Sequence, residues 1–268
     1  MAAGRRIALL IDADNVSYTR IAAILAELSA RGTVNIRRAY GDWGSPQLAG
    51  WKAQLHEFAL RPIQQFSYTT GKNATDIALV IDAMELLYTQ KLDGFCIASS
   101  DADFTPLVMQ LKANGHDVYG FGERKTPSAF VNACTTFLYL ETMAEADAAV
   151  PAKMTSVSAV PPKPKTVKTA VEPAKPSKPK VLASDTKLVT ILRGAVEATQ
   201  RDDGWATLAS AGSAVKRQAP IDPRNYGHKN LPALFDATGL FEIVKGKDDQ
   251  AYIADKRNKT RKSVPDQP

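Results

Sequence analysis

A short, nearly continuous apolar run that ends in acid, Arg5-Arg6-Ile7-Ala8-Leu9-Leu10-Ile11-Asp12-Ala13-Asp14-Asn15, constrains this chain more than any other feature. Apolar residues without alternation over so few positions suit a strand buried on both faces, as in a parallel sheet covered by helices. The next segment changes period. From Val16 to about Ala30 the residues Ile21, Ile24, Leu25 and Leu28 recur at helical spacing, and Gly32 supplies a stop. The alternation continues, with strands expected at 33–40, 63–68, 95–98, 117–122 and 137–140 and helices at 47–59, 76–88 and 105–113. The last of these helices has Pro106 in its first turn and Gly115 just past its end. Helix 76–88 is apolar nearly all round in its first turns, which predicts deep packing. Residues 1–150 are therefore expected to form a doubly wound, parallel α/β sheet.

Composition matters where this pattern breaks. Residues 151–183 hold seven Pro and seven Lys and no aromatic residue, so a flexible, semi-extended linker is expected there. Over 184–256 three helical faces follow: Leu188, Ile191, Leu192 and Val196; Leu208 to Val215; and Leu231, Leu234 and Phe235, stopped by Gly239. A hairpin of 241–244 and 251–253 comes next, completing the pattern of a small winged-helix domain, and 257–268 form a basic tail. The formal charge of +6 divides unevenly: −3 over 1–150, +6 over 151–180, 0 over 181–253 and +3 over 254–268. A cationic linker and tail attract polyanions such as nucleic acid. No stretch approaches the roughly 20 apolar residues of a membrane span. The first residues do not read as a signal peptide, so a cytoplasmic protein with no membrane partner is expected. Cys96 and Cys134 have no CxxC spacing and read as core residues, and three scattered histidines, His56, His116 and His228, argue against zinc.

Ligand sites of doubly wound sheets lie beyond the carboxyl ends of the strands, near the switch point. If the first and fourth strands are neighbours there, Asp12 and Asp14 approach Asp101 and Asp103 of the turn Ala98-Ser99-Ser100-Asp101-Ala102-Asp103-Phe104. Asp76 opens the third helix on the same side. Carboxylates within about 4 Å repel by roughly 4 kcal/mol per pair at an effective dielectric near 20, so such a cluster needs a cation or a raised pKa. An all-oxygen set suits Mg²⁺ or Mn²⁺, and metal-assisted hydrolysis of a phosphodiester is the matching chemistry. Ser99 and Ser100 support the turn, and Asn15 either orients a water or caps the first helix. Asp103 could equally cap the helix that begins after it. Lys72 and Arg124, on loops of the same edge, are candidates for holding phosphate. Asp82, six positions after Asp76, faces elsewhere on its helix and suits a structural hydrogen bond.

Taken in order, Ile11-Asp12-Ala13-Asp14-Asn15, Gly71-Lys72-Asn73-Ala74-Thr75-Asp76-Ile77-Ala78-Leu79-Val80-Ile81-Asp82 and Ser99-Ser100-Asp101-Ala102-Asp103-Phe104 resemble the NYN domain family of PIN-like nucleases, in particular its bacterial LabA-like branch. The likeness covers about residues 5–145. It implies a PIN-like sheet and metal-dependent cleavage of RNA, with Asp12, Asp76, Asp101 and Asp103 as the catalytic, metal-binding carboxylates. Only Glu123 stands where many PIN domains have a further carboxylate after the fifth strand. Trp205-Ala206-Thr207-Leu208, Asp222-Pro223-Arg224-Asn225-Tyr226-Gly227-His228-Lys229-Asn230-Leu231 and Leu234-Phe235 resemble the OST-HTH, or LOTUS, domain over about 182–256. That resemblance implies RNA binding, with Arg224, Tyr226, His228 and Lys229 as candidate contacts ahead of a helix N-terminus.

The expected function is a tethered ribonuclease with RNA as its partner; a homo-oligomer is an open alternative for its assembly. An RNA-binding adaptor with an inactive nuclease fold is the competing reading. The run Asp12-Ala13-Asp14-Asn15-Val16 also matches the opening of haloacid-dehalogenase-like phosphatases, in which the first Asp is a covalent nucleophile.

Overall fold

The computed structural model describes residues 4–66, 74–147, 182–246 and 248–258. Six strands, β1 (Arg6–Asp12), β2 (Thr33–Gly41), β3 (Arg61–Gln64), β4 (Gly94–Ala98), β5 (Asp117–Gly122) and β6 (Thr136–Tyr139), form one sheet in the order β3-β2-β1-β4-β5-β6. Every pairing in it is parallel. Six helices flank it: α1 (Ile21–Ser29), α2 (Trp51–Glu57), α3 (Ala74–Thr89), α4 (Thr105–Ala113), α5 (Ser128–Ala133) and α6 (Leu140–Asp147). The chain winds outward from β1 to β3, returns to β4 beside β1 and winds the other way, so the switch point lies between β1 and β4.

The unbroken apolar run of β1 has a direct cause, because both faces of the strand are covered. Ile7, Leu9 and Ile11 pack with Ile21, Ile24 and Leu28 of α1 and Trp51 of α2. Ala8 and Leu10 join Leu79 and Leu86 of α3, Val108 and Leu111 of α4 and Phe130 of α5 on the other face. α3 departs from its expected deep burial, since Ile77, Ile81 and Tyr88 are 59%, 62% and 69% exposed. Only the side of α3 carrying Leu79, Ala83, Leu86 and Leu87 reaches the sheet. β3 begins at Arg61 rather than Ile63, and its Pro62 is tolerated because β3 is a sheet edge. α5 and α6 carry no local sequence signal, since each is short, follows a strand and has little apolar periodicity of its own.

The C-terminal module has α7 (Thr186–Glu197), α8 (Leu208–Gln218) and α9 (Leu231–Thr238), with β7 (Ala206–Thr207), β8 (Phe241–Lys245) and β9 (Ala251–Asp255) in an antiparallel sheet ordered β7-β9-β8. Asp185, Thr207 and Asn230 cap the three helices through their side chains, each accepting from a backbone N–H. Leu188, Leu192, Val215, Leu234, Phe235 and Ile253 make its core. Leu182 is buried in that core too. Most of the expected linker at 151–183 and of the basic tail at 257–268 lies outside the described residues. No helix among the described residues is long and apolar enough to cross a membrane.

Candidate active site

The carboxyl ends of β1 and β4 bring the acidic turns together. Asp12, the last residue of β1, is 1% exposed. Its Oδ2 accepts from the Ser99 hydroxyl at 2.8 Å and from the Asn15 amide at 2.9 Å. Burial pushes the Asp12 carboxyl up, and the hydrogen bonds from Ser99 and Asn15 oppose that rise. Ser99 Oγ in turn accepts from the Asp101 backbone N–H at 3.1 Å, and the Asp101 carboxylate accepts from the Asp103 N–H at 2.8 Å. One serine thus ties the β1 acid to the β4 turn. Ser100 ties the same turn to β5, its hydroxyl accepting from the Glu123 N–H at 2.8 Å. Gly122 permits this approach, because a Cβ there would lie 2.6 Å from the Ser99 carbonyl oxygen.

Asp76 enters from the first turn of α3. Burial, then the charges of Asp12, Asp101, Asp103 and Asp14, push it up to about 6. Asp14 is itself raised, first by burial and then by the charge of Asp42, against a hydrogen bond from Thr75. Four acidic side chains from two other segments therefore act on Asp76 at the switch point. Beside them a shallow apolar pocket is lined by Asp76, Ile77, Val80, Ile81, Asp103 and Phe104. Among the described residues no group of three or more Asp, Glu, His or Cys side chains is drawn closely enough to hold a metal ion as it stands.

Asn15 does not cap the first helix: Ser17 caps the 3-10 turn that precedes α1, and Asn15 instead donates to Asp12. Asp101 caps the 3-10 turn at Ala102–Phe104, so the capping role that was open for Asp103 falls to its neighbour. Asp82 accepts from Arg38 and from the Tyr40 hydroxyl, a structural role on β2. Lys72 lies outside the described residues. Arg124 is exposed, with its guanidinium over the Tyr139 ring at 5.8 Å and its backbone N–H given to Glu141. Glu123 pairs with Lys125 at 2.9 Å.

In the module, Arg224 is not presented as an open cation. Its guanidinium is held by Glu27 of α1 and by Asp222, and these carboxylates keep its pKa high. Tyr226 is half-buried against the module core, and burial pushes its hydroxyl up to about 12. His228 is half-buried and Lys229 exposed just ahead of α9. The side chain that motif reading passed over is Asn225, which bonds to β6 of the first domain.

A model of the NYN domain matches residues 6–141, half of the chain. The chain belongs to the NYN domain family. The match spans the Asp76 helix as well as the Asp12 strand, which leaves the phosphatase alternative without support. A second model, the OST-HTH/LOTUS domain, matches residues 181–252 of this NYN protein. The NYN domain is a nuclease-type fold, and the OST-HTH/LOTUS domain implies RNA binding. A crystal structure of a protein of unknown function from Vibrio parahaemolyticus is similar at 19% identity and a TM-score of 0.44, covering 52% of this chain and 94% of that one. A solution structure of an uncharacterized protein from Nitrosomonas europaea aligns at 24% identity and a TM-score of 0.24, covering 38% and 92%. No curated protein matches the chain.

Proposed function

We propose that this NYN protein is a divalent-metal-dependent ribonuclease that gathers RNA through its C-terminal module and hydrolyses it at the acidic edge of the sheet. The observation that carries this reading is the convergence of Asp12, Asp76, Asp101 and Asp103 on the switch point, where burial and then the neighbouring charges push Asp76 up to about 6. Asp12 and Asp76 form no ion pair with a cationic side chain among the described residues.

The donor set fits a hard divalent ion, Mg²⁺ or Mn²⁺: it is all oxygen, and its mutual repulsion is what such an ion would offset. Asp12, Asp76, Asp101 and Asp103 would hold it. When bound, the ion supplies Lewis-acid stabilisation of the charge that builds up on the phosphate. The protein's own part is positional. Ser99 and Asn15 fix the orientation of the buried Asp12 carboxylate, and Ser99 keeps the Asp101 turn in register with it. The linked module raises the local concentration of substrate without further contacts at the acidic edge.

The test is cleavage of single-stranded RNA with Mn²⁺ by wild type and Asp101→Asn. Loss of about a hundredfold or more in the variant is expected; undiminished cleavage would place the site elsewhere. One observation favours the adaptor reading. Glu123, the carboxylate that follows β5, is paired with Lys125 and so does not add to the cluster. An adaptor would hold RNA in chelator and show no metal-dependent cleavage.

A further inference from the structure

The C-terminal module is clamped to the outer strand of the nuclease sheet. The Asn225 side chain donates to the Phe137 carbonyl at 2.8 Å and accepts from the Tyr139 N–H at 3.1 Å. It thereby pairs with the open edge of β6 as another strand would. Next to it, Arg224 donates to both oxygens of Glu27 at 2.5 and 2.9 Å and to Asp222 at 2.8 and 2.9 Å. Burial pushes Glu27 up, but the guanidiniums of Arg224 and Arg31 outweigh it and hold the carboxylate low. A forked Arg–carboxylate contact of this kind fixes orientation as well as adding energy.

Beside the clamp runs an open groove of about 1050 Å³ to which both domains contribute. Thr136 of β6 and Arg31 line one side, and Ser213 and Lys216 of α8 with Lys229 line the other. Arg31 and Arg224 are neutralised by Glu27 and Asp222. Lys216 and Lys229 are exposed and make no ion pair among the described residues. The groove therefore carries surplus positive charge. Its lining sets hydroxyls and lysines among aliphatic side chains such as Leu208, Ile221 and Leu231, and contains no aromatic ring. That suits a sugar–phosphate backbone rather than stacked bases. Its size lies at the top of the roughly 300–1,000 Å³ of small-molecule sites, as an open path for a strand would.

We propose that this groove is a composite site for single-stranded RNA, gripped along its backbone, to which the nuclease domain itself contributes the Thr136 wall. The proposal rests on RNA being the ligand of the module. Thr136 begins β6, whereas Asp12 closes β1 and Asp101 follows the far end of β4. The groove and the acids thus lie toward opposite ends of the sheet, so oligonucleotides too short to span both are held without being cut.

The experiment is fluorescence anisotropy of a labelled, unstructured RNA oligonucleotide with the full chain in chelator, over a range of salt. Thr136→Glu should weaken binding by about two- to fivefold and Thr136→Lys should tighten it by a similar factor, the size of one exposed charge contact. Lys216→Glu should weaken binding and lower the slope of log K against log salt by at least about 0.7. The opposite signs at position 136 separate the proposal from misfolding. If Lys216→Glu weakens binding while both Thr136 variants bind as wild type, the module holds RNA alone: the composite groove is wrong and the RNA-binding reading stands. If wild type itself does not bind RNA, both fall together.

Discussion

Asp76→Asn should make the metal-free protein more stable while removing the metal-dependent RNA cleavage proposed for it. The Asp76 carboxyl is pushed from its ordinary 3.8 up to about 6 by burial, then by the charges of Asp12, Asp101, Asp103 and Asp14. A rise of that size corresponds to about 3 kcal/mol in favour of the neutral form. The side chain is partly solvated, and screening reduces the usable part to about 1–2 kcal/mol. The sign follows from proton linkage. A carboxyl raised in the folded state binds its proton more tightly there than in the unfolded chain, so stability falls as pH rises from about 4 to about 6 and the full penalty is present above that. Asparagine keeps the shape and removes the charge. In chelator at about pH 7.5, Tm should rise by roughly 2–8 °C, and the gain should shrink as pH falls through the same window. Mn²⁺ or Mg²⁺ should stabilise wild type more than the variant, because a ligand that binds only the native state shifts unfolding by mass action. Thermal unfolding at several pH values, with and without metal, decides the matter. A variant no more stable than wild type above pH 6, or a gain that does not vary with pH, would refute the electrostatic coupling of these acids.

Two further outcomes follow from contacts away from the acidic edge. Asp82→Ala leaves Arg38 and the Tyr40 hydroxyl without their shared carboxylate, and urea unfolding should show a loss of about 2–3 kcal/mol while metal-dependent cleavage by the folded fraction persists. Combining Asn225→Ala with Glu27→Gln removes both parts of the interdomain clamp, so small-angle scattering should record a larger radius of gyration; an unchanged radius would mean that other contacts hold the module.

Much of the NYN domain was readable along the chain because its signals are local. An unalternating apolar run can be satisfied only by cover on both faces, and β1 has it. The pairing of β1 with β4, expected from the rule for doubly wound sheets, is what brings Asp12 and the Asp101 turn together. Local signals failed where the deciding neighbour lies far away in sequence. Periodicity marks α3 as apolar but cannot say which side meets the sheet, and Ile77, Ile81 and Tyr88 are left exposed. Asn15 has the right chemistry for a cap, yet a closer demand, the buried Asp12 carboxylate, engages it instead. Arg224 has the right chemistry for phosphate, but Glu27, 197 residues away, holds it in this arrangement.

The sequence by itself determined most of the element types, the two-domain order and which acids are candidates for the site, because hydrophobic period, turn chemistry and residue type are properties of short segments. Tertiary structure decided what those side chains face. Ser99 bridges two strands, Gly122 lets the turn lie against β5, and Asn225 closes a sheet edge. Each of these depends on a partner that only the folded chain brings within hydrogen-bond distance, and local sequence carries no record of who that partner is.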